Sequence, residues 1–316
     1  MDYLGESGIG AWSYGTSEQA TQLKQMHNFL RVYMARFGVD GKNPFAAFQN
    51  GQPPNVLSPG YPWHGFYCGD LDLTGFRKSS SYYRDILWNG GNRVYATVRV
   101  PEPEGEKIVA GGWSVYPTLS SWTWPGQEGK PLTVEIYSGA ERVRLFLNDK
   151  LIGEKPTGRE QAFRAEFGVP YSQGTLRAEG VRGERVVAES ALQTAGPPVL
   201  LKLTADRTVP DADGQDLAFV TVEAEDQNGR LQPNADQEVH FSFEGAGSIA
   251  AVGNGDAQSK RSYQDDTYNL FHGRALVVLR TSPKPGQITL HARAEGLNEA
   301  SLLVESKPAT ELPELQ

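Results

Sequence analysis

The feature that most constrains the fold is an alternation of apolar and polar residues that begins after the first third of the chain. The segment LTVEIYS places Leu132, Val134 and Ile136 on one face, and RVRLFLNDKLIGE continues this period with Asn148-Asp149 at a hairpin turn. A period of two is typical of strands with one buried face. The sequence therefore predicts a β-sandwich over residues 107–196.

The same alternation resumes after a Gly-Pro-Pro sequence at residues 196–198, which indicates a domain boundary. Five alternating runs follow, and they read LLKLTAD, DLAFVTVEAED, EVHFSFEG, RALVVLRT and ITLHARAEG. Asn228-Gly229 and Pro285-Gly286 mark turns between these runs. We therefore predict a second sandwich over residues 197–307 and a polar tail over residues 308–316.

The first 106 residues have a different pattern. Residues 17–37 space their apolar side chains by three and four between an N-cap Ser17 and the terminating Gly38, which predicts an amphipathic helix. A stretch rich in Pro, Gly and aromatic residues follows, and SSSYYRDILWNGG then predicts a second, short helix. Long aromatic loops on a scaffold often carry function.

Composition limits the partners that the chain can bind. The formal net charge of -8 and the pI near 5.3 argue against nucleic acid and anionic membranes, because no basic stripe is present to neutralise phosphates. Cys68 is the single cysteine and the histidines are scattered, so we expect no metal site, and we expect no cofactor. No apolar stretch is long enough to span a bilayer, and the N-terminus has no signal-peptide pattern, which leaves the cellular location open.

Two loops resemble ligand-binding motifs but lack the required spacing. In DADGQD, which begins at Asp211, Gly214 is the fourth residue and Val222 the twelfth, whereas an EF-hand loop needs Gly at the sixth position and Glu at the twelfth. We expect a β-turn there. GNGDAQS, which begins at Gly253, lacks the lysine and the following helix of a phosphate-binding loop, and we expect a hairpin connection.

Four segments, taken in order, resemble glycoside hydrolase family 2 enzymes of the β-galactosidase type. They are DYLGES, PWHGFYCGDLDLTGFRKSSSYYRDILW, EIYSGAERVRLFLNDKLIGE and the stretch from DADGQD to GNGD. Together they cover nearly the whole chain and are similar to the C-terminal half of such an enzyme. The resemblance implies a mainly β fold. Residues 1–106 would form the C-terminal end of a (β/α)8 barrel, with its last strand, rim loops and helices, followed by two immunoglobulin-like β-sandwich domains, the second of them invasin-like.

The resemblance also implies a function in carbohydrate metabolism. Enzymes of this family are retaining O-glycosidases with one glutamate as acid/base and another as nucleophile, and both lie upstream of the DYLGE segment. A complete barrel takes roughly 250 residues, and this chain supplies one barrel strand. We therefore expect no catalytic residue in the chain and no activity by itself. Its partner would be the N-terminal part of the same enzyme, or a second copy meeting an uncovered barrel face.

Seven residues are candidate contacts to a β-galactoside-type sugar in the intact enzyme. Carboxylates accept hydrogen bonds from sugar hydroxyls, and aromatic rings stack on the apolar face of a sugar ring. The candidates are Asp2, Tyr3, Glu6, Trp63, His64, Tyr67 and Asp70. For Asp2, Tyr3 and Glu6, the alternatives are a capped turn and packing against the barrel wall. For Trp63, His64 and Tyr67, the alternative is an aromatic cluster that fixes a loop. For Asp70, it is a structural turn before Thr74-Gly75.

A different class of function stays open at this point. Trp113, Trp122 and Trp124 lie within about a dozen residues, and exposed indole faces stack on sugar rings. This spacing fits a non-catalytic carbohydrate-binding or scaffolding protein. The alternative is that these indoles form a hydrophobic seam between the barrel and the first sandwich.

Overall fold

The computed structural model describes residues 70–105, 108 and 116–309, so the helix predicted over residues 17–37 lies outside the described residues. The fold is mainly β, as the alternation predicted. The chain divides into two compact units, Met1–Thr194 and Ala195–Gln316. In the part of the chain that the structure describes, each unit contains a pair of β-sheets.

The described part of the first unit begins with a turn and a helix. A single antiparallel bridge joins Leu71 to Arg77, a 3-10 turn follows at Ser79–Ser81, and helix α1 spans Tyr82–Asn89. The helix ends where Gly90 takes a φ of 55°, a value that side chains with a Cβ rarely adopt. The short helix predicted from SSSYYRDILWNGG is therefore confirmed.

The first sandwich consists of two antiparallel sheets with strand orders β2-β1-β3-β6 and β5-β4-β7-β8. Its strands are β1 (Val94–Arg99), β2 (Thr118–Leu119), β3 (Pro131–Ser138), β4 (Arg142–Leu147), β5 (Lys150–Pro156), β6 (Arg164–Pro170), β7 (Thr175–Arg182) and β8 (Arg185–Gln193). Val134 and Ile136 of β3 and Val143 of β4 are fully buried in its core, as the period of two predicted. Asn148 and Asp149 connect β4 to β5 with φ values of 49° and 62°, so the predicted hairpin turn is confirmed.

Strand β1 extends this sandwich toward the N-terminus. The resemblance placed residues 94–99 in the barrel segment, with the sandwich beginning at residue 107. In the structure, β1 pairs with β3 from Val94–Ser138 to Val98–Val134 and so belongs to a sandwich sheet. The reason is tertiary, because a six-residue strand next to a helix carries no local signal of which sheet it joins.

The second sandwich has strand orders β10-β17-β16-β12-β14 and β13-β15-β11-β9. Its strands are β9 (Leu200–Ala205), β10 (Asp211–Ala212), β11 (Leu217–Glu225), β12 (Glu238–Gly245), β13 (Gly247–Gly253), β14 (Thr267–Asn269), β15 (Arg274–Thr281), β16 (Gly286–Ala294) and β17 (Ala300–Pro308). All five predicted runs form strands. Of the predicted tail, residues 310–316 lie outside the described residues.

The two loops that resembled ligand-binding motifs have structural roles. Asp213 Oδ1 accepts hydrogen bonds from the amides of Gln215 and Asp216, at 2.8 and 2.7 Å, so DADGQD forms the expected turn into β11. The hairpin expected at GNGDAQS is wrong. This loop leaves β13, which pairs with β15, and leads to β14, which pairs with β12 in the opposite sheet. The loop therefore crosses between the two sheets.

Asp226 ties the start of the second unit to the turn after β11. Its Oδ2 accepts from the amide of Gly196 at 2.8 Å, and its Oδ1 accepts from the amides of Asn228 and Arg230 at 2.8 and 2.9 Å. Asp226 is fully buried. Burial opposes its ionisation, but these backbone hydrogen bonds outweigh that effect and hold the pKa of Asp226 below its ordinary value.

We predict that Asp226→Asn destabilises the chain by about 1–3 kcal/mol at pH 7, because its new amide group would meet the Gly196 amide, donor against donor. A carboxyl group whose pKa is lowered by folding stabilises the folded chain at pH values above its pKa in the unfolded state. This stabilisation is lost as the pH falls through its pKa in the folded state. The difference from wild type should therefore shrink below about pH 4. Urea unfolding at pH 7 and pH 3 measures this, with the exposed Asp236→Asn as control. If wild type and Asp226→Asn differed in stability by the same amount at pH 7 and pH 3, this would contradict a lowered pKa of Asp226 in the folded chain.

Candidate functional site

Of the seven candidate sugar contacts, Asp70 lies within the described residues. The other six, Asp2, Tyr3, Glu6, Trp63, His64 and Tyr67, lie outside them. The Asp70 carboxylate forms an ion pair with Arg84 of α1, and its backbone oxygen accepts from the Lys78 amide at 2.9 Å. The structure therefore brings Asp70 to an arginine of the helix, and its role toward a sugar stays a prediction.

The neighbouring acid, Asp72, builds a turn. Its Oδ1 accepts from the amide of Thr74 at 2.9 Å, from the Thr74 hydroxyl at 2.8 Å and from the amide of Phe76 at 3.0 Å. Such side-chain to backbone bonds are what make Asp common in turns. The turn before Thr74-Gly75, which is the structural alternative for Asp70, is therefore confirmed, and Asp72 is the acid that forms it.

Helix α1 lies on the outer face of the sheet that contains β1 and β3. Tyr82 stacks on Tyr95 of β1 with ring centroids 4.5 Å apart, and Tyr83 meets Tyr137 of β3 at 5.4 Å. The Tyr83 hydroxyl also donates to the backbone oxygen of Ala162 at 2.8 Å. Because side chains of a strand alternate between faces, Tyr95 and Tyr137 point away from the apolar core, on the side where the helix packs.

Asp85 completes the contact between helix and sheet. It accepts from the Tyr95 hydroxyl at 2.9 Å and from Arg77 Nη1 at 3.1 Å, and the Arg77 guanidinium lies 4.3 Å from the centroid of the Tyr82 ring. Burial opposes ionisation, but the hydrogen bonds from Arg77 and Tyr95 hold the pKa of Asp85 below its ordinary value. Burial and the Asp85 carboxylate raise the pKa of Tyr95.

A buried carboxylate lies further along the same face. Glu135 of β3 has a side chain that is 5% exposed, and it accepts from Arg99 Nε at 2.6 Å, from Arg164 Nη2 at 2.8 Å and from the Tyr137 hydroxyl at 2.7 Å. Burial is the main cause that raises the pKa of Tyr137, and the neighbouring Glu135 carboxylate raises it further. The more exposed Glu166 pairs with the same two arginines. This arrangement joins three strands, β1, β3 and β6, through charge-assisted hydrogen bonds.

Asp70, Asp85 and Glu135 share one feature, an arginine partner. A retaining glycosidase needs two carboxyl groups about 5 to 5.5 Å apart, one of them with a raised pKa. Asp70, Asp85 and Glu135 each bind an arginine, and the pKa of Asp85 is lowered, so the arrangement fixes the helix and the strands. Across the ranges that the structure covers, no group of three or more His, Cys, Asp or Glu side chains is placed to hold a metal. No helix within those ranges is long and apolar enough to cross a membrane.

Sequence reasoning missed this polar face, although a signal was present. In TVEIYS, Glu135 and Tyr137 occupy the strand face opposite the apolar residues, and a glutamate in the middle of a strand needs a partner if it is covered. The tyrosine pair in SSSYYRD packs on Tyr95 and Tyr137 of this face. What the sequence did not show is that this helix and this strand meet.

The tryptophans do not form an exposed sugar platform. Trp122 is fully buried and Trp124 is 7% exposed, and both belong to the core of the first sandwich. Their indole NH groups donate to the backbone oxygens of Ser172 and Ser121, at 2.9 and 3.1 Å. The stacking interpretation is therefore wrong for these two residues, because their ring faces are already packed. Trp113 lies outside the described residues.

These features define a β protein of two successive sandwiches, and a helix lies on the outer face of the first. All the described strand pairs are antiparallel except the short β10–β17 pair. Residues 201–303 match the family model described as glycoside hydrolase family 2 C-terminal domain 5. Residues 129–188 match a domain of unknown function, DUF4982. The chain is related to the C-terminal part of glycoside hydrolase family 2 enzymes.

Individual relatives agree with this relation. The chain is 34% identical over 252 residues to a β-galactosidase of Bacteroides ovatus, BoGH2A, covering 78% of this chain and 26% of the relative. It is 27% identical over 278 residues to a β-glucuronidase of Formosa agariphila, covering 83% of this chain and 25% of the relative. The chain spans about a quarter of the length of the curated relatives it matches.

Solved structures show the same relation. A family 2 member from Bacteroides cellulosilyticus matches with a TM-score of 0.74 and 33% identity, over 78% of this chain and 32% of that one. A β-glycosidase from Bacteroides vulgatus matches with a TM-score of 0.66 and 26% identity, over 78% of this chain and 29% of that one. The assignment of residues 1–106 to the end of a barrel stays a prediction.

We predict that Glu135→Gln destabilises the chain by about 2–4 kcal/mol, because it leaves Arg99 and Arg164 without their buried counter-charge. Glu166→Gln is a matched control, since Glu166 pairs with the same arginines but is 46% exposed; it should cost less than about 1 kcal/mol. Urea unfolding measures both. If the two variants lost the same amount of stability, burial of Glu135 would not be the reason for the loss in Glu135→Gln.

We predict that Asp85→Asn loosens α1 from the sheet, because the neutral side chain binds Arg77 and Tyr95 more weakly. A loss of about 1–2 kcal/mol would speed amide hydrogen exchange in the helix by about 5- to 30-fold. Hydrogen-exchange mass spectrometry measures this, with the exposed Glu189→Gln as control. Unchanged exchange in residues 82–89 would rule out a holding role for Asp85.

Proposed function

We propose that this chain is the C-terminal portion of a family 2 glycosidase that hydrolyses O-glycosidic bonds of β-galactoside-type sugars in carbohydrate metabolism. The observation that carries the proposal is the likeness to family 2 proteins at 33–34% identity over 78% of the chain, with a TM-score of 0.74. In this proposal the two sandwiches are accessory domains. The catalytic carboxylates belong to the N-terminal part of the same enzyme, and the chain is inactive alone.

The choice of a galactoside as the substrate rests on the activities that the names of the relatives state. The Bacteroides ovatus relative, at 34% identity, is a β-galactosidase, and the Formosa agariphila relative, at 27%, is a β-glucuronidase. The higher identity favours a galactoside. A glucuronide is the competing substrate, and the two differ by a carboxylate that a binding site must accommodate or exclude.

The contacts of α1 support the accessory role. Residues 70–89 belong to the segment that the resemblance assigns to the end of the barrel, and they are bound to the first sandwich through Tyr82, Tyr83 and Asp85. A sandwich attached in this way would hold the end of the barrel in a fixed position. The rival function, sugar binding through exposed tryptophans, has no support from Trp122 and Trp124, which are buried.

Hydrolysis of an aryl β-galactoside and an aryl β-glucuronide tests the proposal. We expect no turnover by the 316-residue chain alone. We expect turnover of the galactoside by a chimera in which this chain replaces the matching 252-residue segment of the Bacteroides ovatus enzyme. The same enzyme without that segment is the control, and it should be inactive or unstable.

Two results would overturn the proposal. Turnover by the chain alone would place catalytic groups within it, and Asp2, Glu6 and Asp70 would be the first residues to replace. A chimera that is folded by circular dichroism but inactive would show that the chain is not a functional equivalent of the segment it replaces. Preference for the glucuronide in an active chimera would leave the accessory role intact and overturn the choice of sugar.

A further inference from the structure

The second sandwich has one long loop without helix or strand. It spans residues 254–266, between the end of β13 at Gly253 and the start of β14 at Thr267. We call it the crossing loop, because it passes from one sheet to the other. Loops of this length in a compact domain are uncommon, and most of them either have a binding function or are disordered.

Contacts at both ends hold the crossing loop on the sandwich. Asn254 is 4% exposed, and its Nδ2 donates to the backbone oxygen of Asn269 at 2.8 Å. Toward the other end, the backbone oxygen of Tyr263 accepts from the Val252 amide at 2.9 Å. Ala257, between these two contacts, is buried. The loop is therefore fixed in place, which favours a binding function over disorder.

Tyr263 gives this loop a fixed aromatic ring that is open to solvent. It lies in a turn in which the Asp265 amide donates to the Ser262 backbone oxygen at 3.3 Å, and it is 43% exposed. Its ring lies nearly parallel to that of the buried Tyr268, with centroids 6.2 Å apart. A ring that is positioned before the ligand arrives loses little conformational freedom on binding. Tyr263 therefore has the exposure for stacking on a sugar that Trp122 lacks.

Polar side chains surround this ring in the sequence. Ser262, Gln264, Asp265 and Asp266 are all exposed. In the described part of the chain, the carboxylates of Asp265 and Asp266 form no hydrogen bond or ion pair, unlike that of Asp226. Carboxylates accept hydrogen bonds from sugar hydroxyls. They repel an anionic ligand, so the loop suits a neutral one.

We propose that the crossing loop is a binding surface for a neutral oligosaccharide of the galactose type. One sugar ring stacks on Tyr263, and its hydroxyls donate to the carboxylates of Asp265 and Asp266. The choice of a galactose-type sugar rests on the proposed function, whereas the choice of a neutral ligand rests on the two carboxylates. A single aromatic ring offers a small contact area, so binding is weak, with a Kd of about 1 mM.

An NMR titration of the full 316-residue chain with β-1,4-galactotriose, up to about 20 mM, tests the proposal. We expect saturable binding, which Tyr263→Ala weakens at least about tenfold because the stacking ring is lost. Tyr263→Phe keeps the ring and should bind within about threefold of wild type. Phe219→Ala is the matched control. Phe219 is 40% exposed on β11, so removing this ring should leave binding unchanged.

The charge of the ligand is tested with a trimer of galacturonic acid. We expect wild type to bind this trimer at least about tenfold more weakly than galactotriose, because Asp265 and Asp266 repel its carboxylates. The double variant Asp265→Asn with Asp266→Asn should reduce this difference, and the change should be larger at low salt than at high salt.

Three results would overturn the proposal. They are no binding of galactotriose by wild type, equal weakening by Tyr263→Ala and Phe219→Ala, and equal binding of the neutral and the anionic trimer by wild type. Hydrogen exchange of residues 254–266 shows whether Tyr263→Ala keeps the loop in place, and Tyr263→Phe keeps the test decisive if it does not. An active chimera combined with a chain that binds no sugar would overturn this inference and leave the glycosidase proposal intact. An inactive chimera combined with a chain that binds galactotriose through Tyr263 would do the reverse.

Discussion

Each strand of a β-sheet has two faces, and the structure depends on the fact that only one of them is buried in a sandwich core. In β3 the inner face is Val134 and Ile136, and in β11 it is Val220 and Val222, all fully buried. This burial is the main favourable contribution to folding of both units. It also leaves the outer faces available for other contacts, and the two sandwiches use their outer faces differently.

The first sandwich uses its outer face for a polar and aromatic contact with its own chain. Glu135, held by Arg99 and Arg164, is a buried charge whose desolvation offsets most of what its ion pairs contribute. Its effect is geometric, because charge-assisted contacts from two arginines allow few alternative positions. Tyr82 and Tyr83 then place the helix on the sheet. In the second sandwich, the outer face of β11 and β15 combines Phe219 and Val278 with the ion pair of Glu223 and Arg274.

The acidic residues illustrate why residue type alone does not assign function. Asp72 and Asp226 accept backbone hydrogen bonds in turns, and Asp85 binds a tyrosine and an arginine. Their neighbours in space therefore give these three acids structural roles in turns and in the contact of a helix with a sheet.

The sequence by itself determined the strands with a clear alternation, the short helix, the Asn148-Asp149 turn and the relation to family 2 glycosidases. These depend on local period and turn chemistry, which act over a few residues. Only the tertiary structure decided that the loop after Gly253 crosses between sheets, that Trp122 is buried, and that Glu135 binds Arg99 and Arg164. It also decided that Phe219 meets Val278. The physical reason is that strand pairing and register join residues far apart in the chain, and a period of two is the same whichever strand becomes the neighbour.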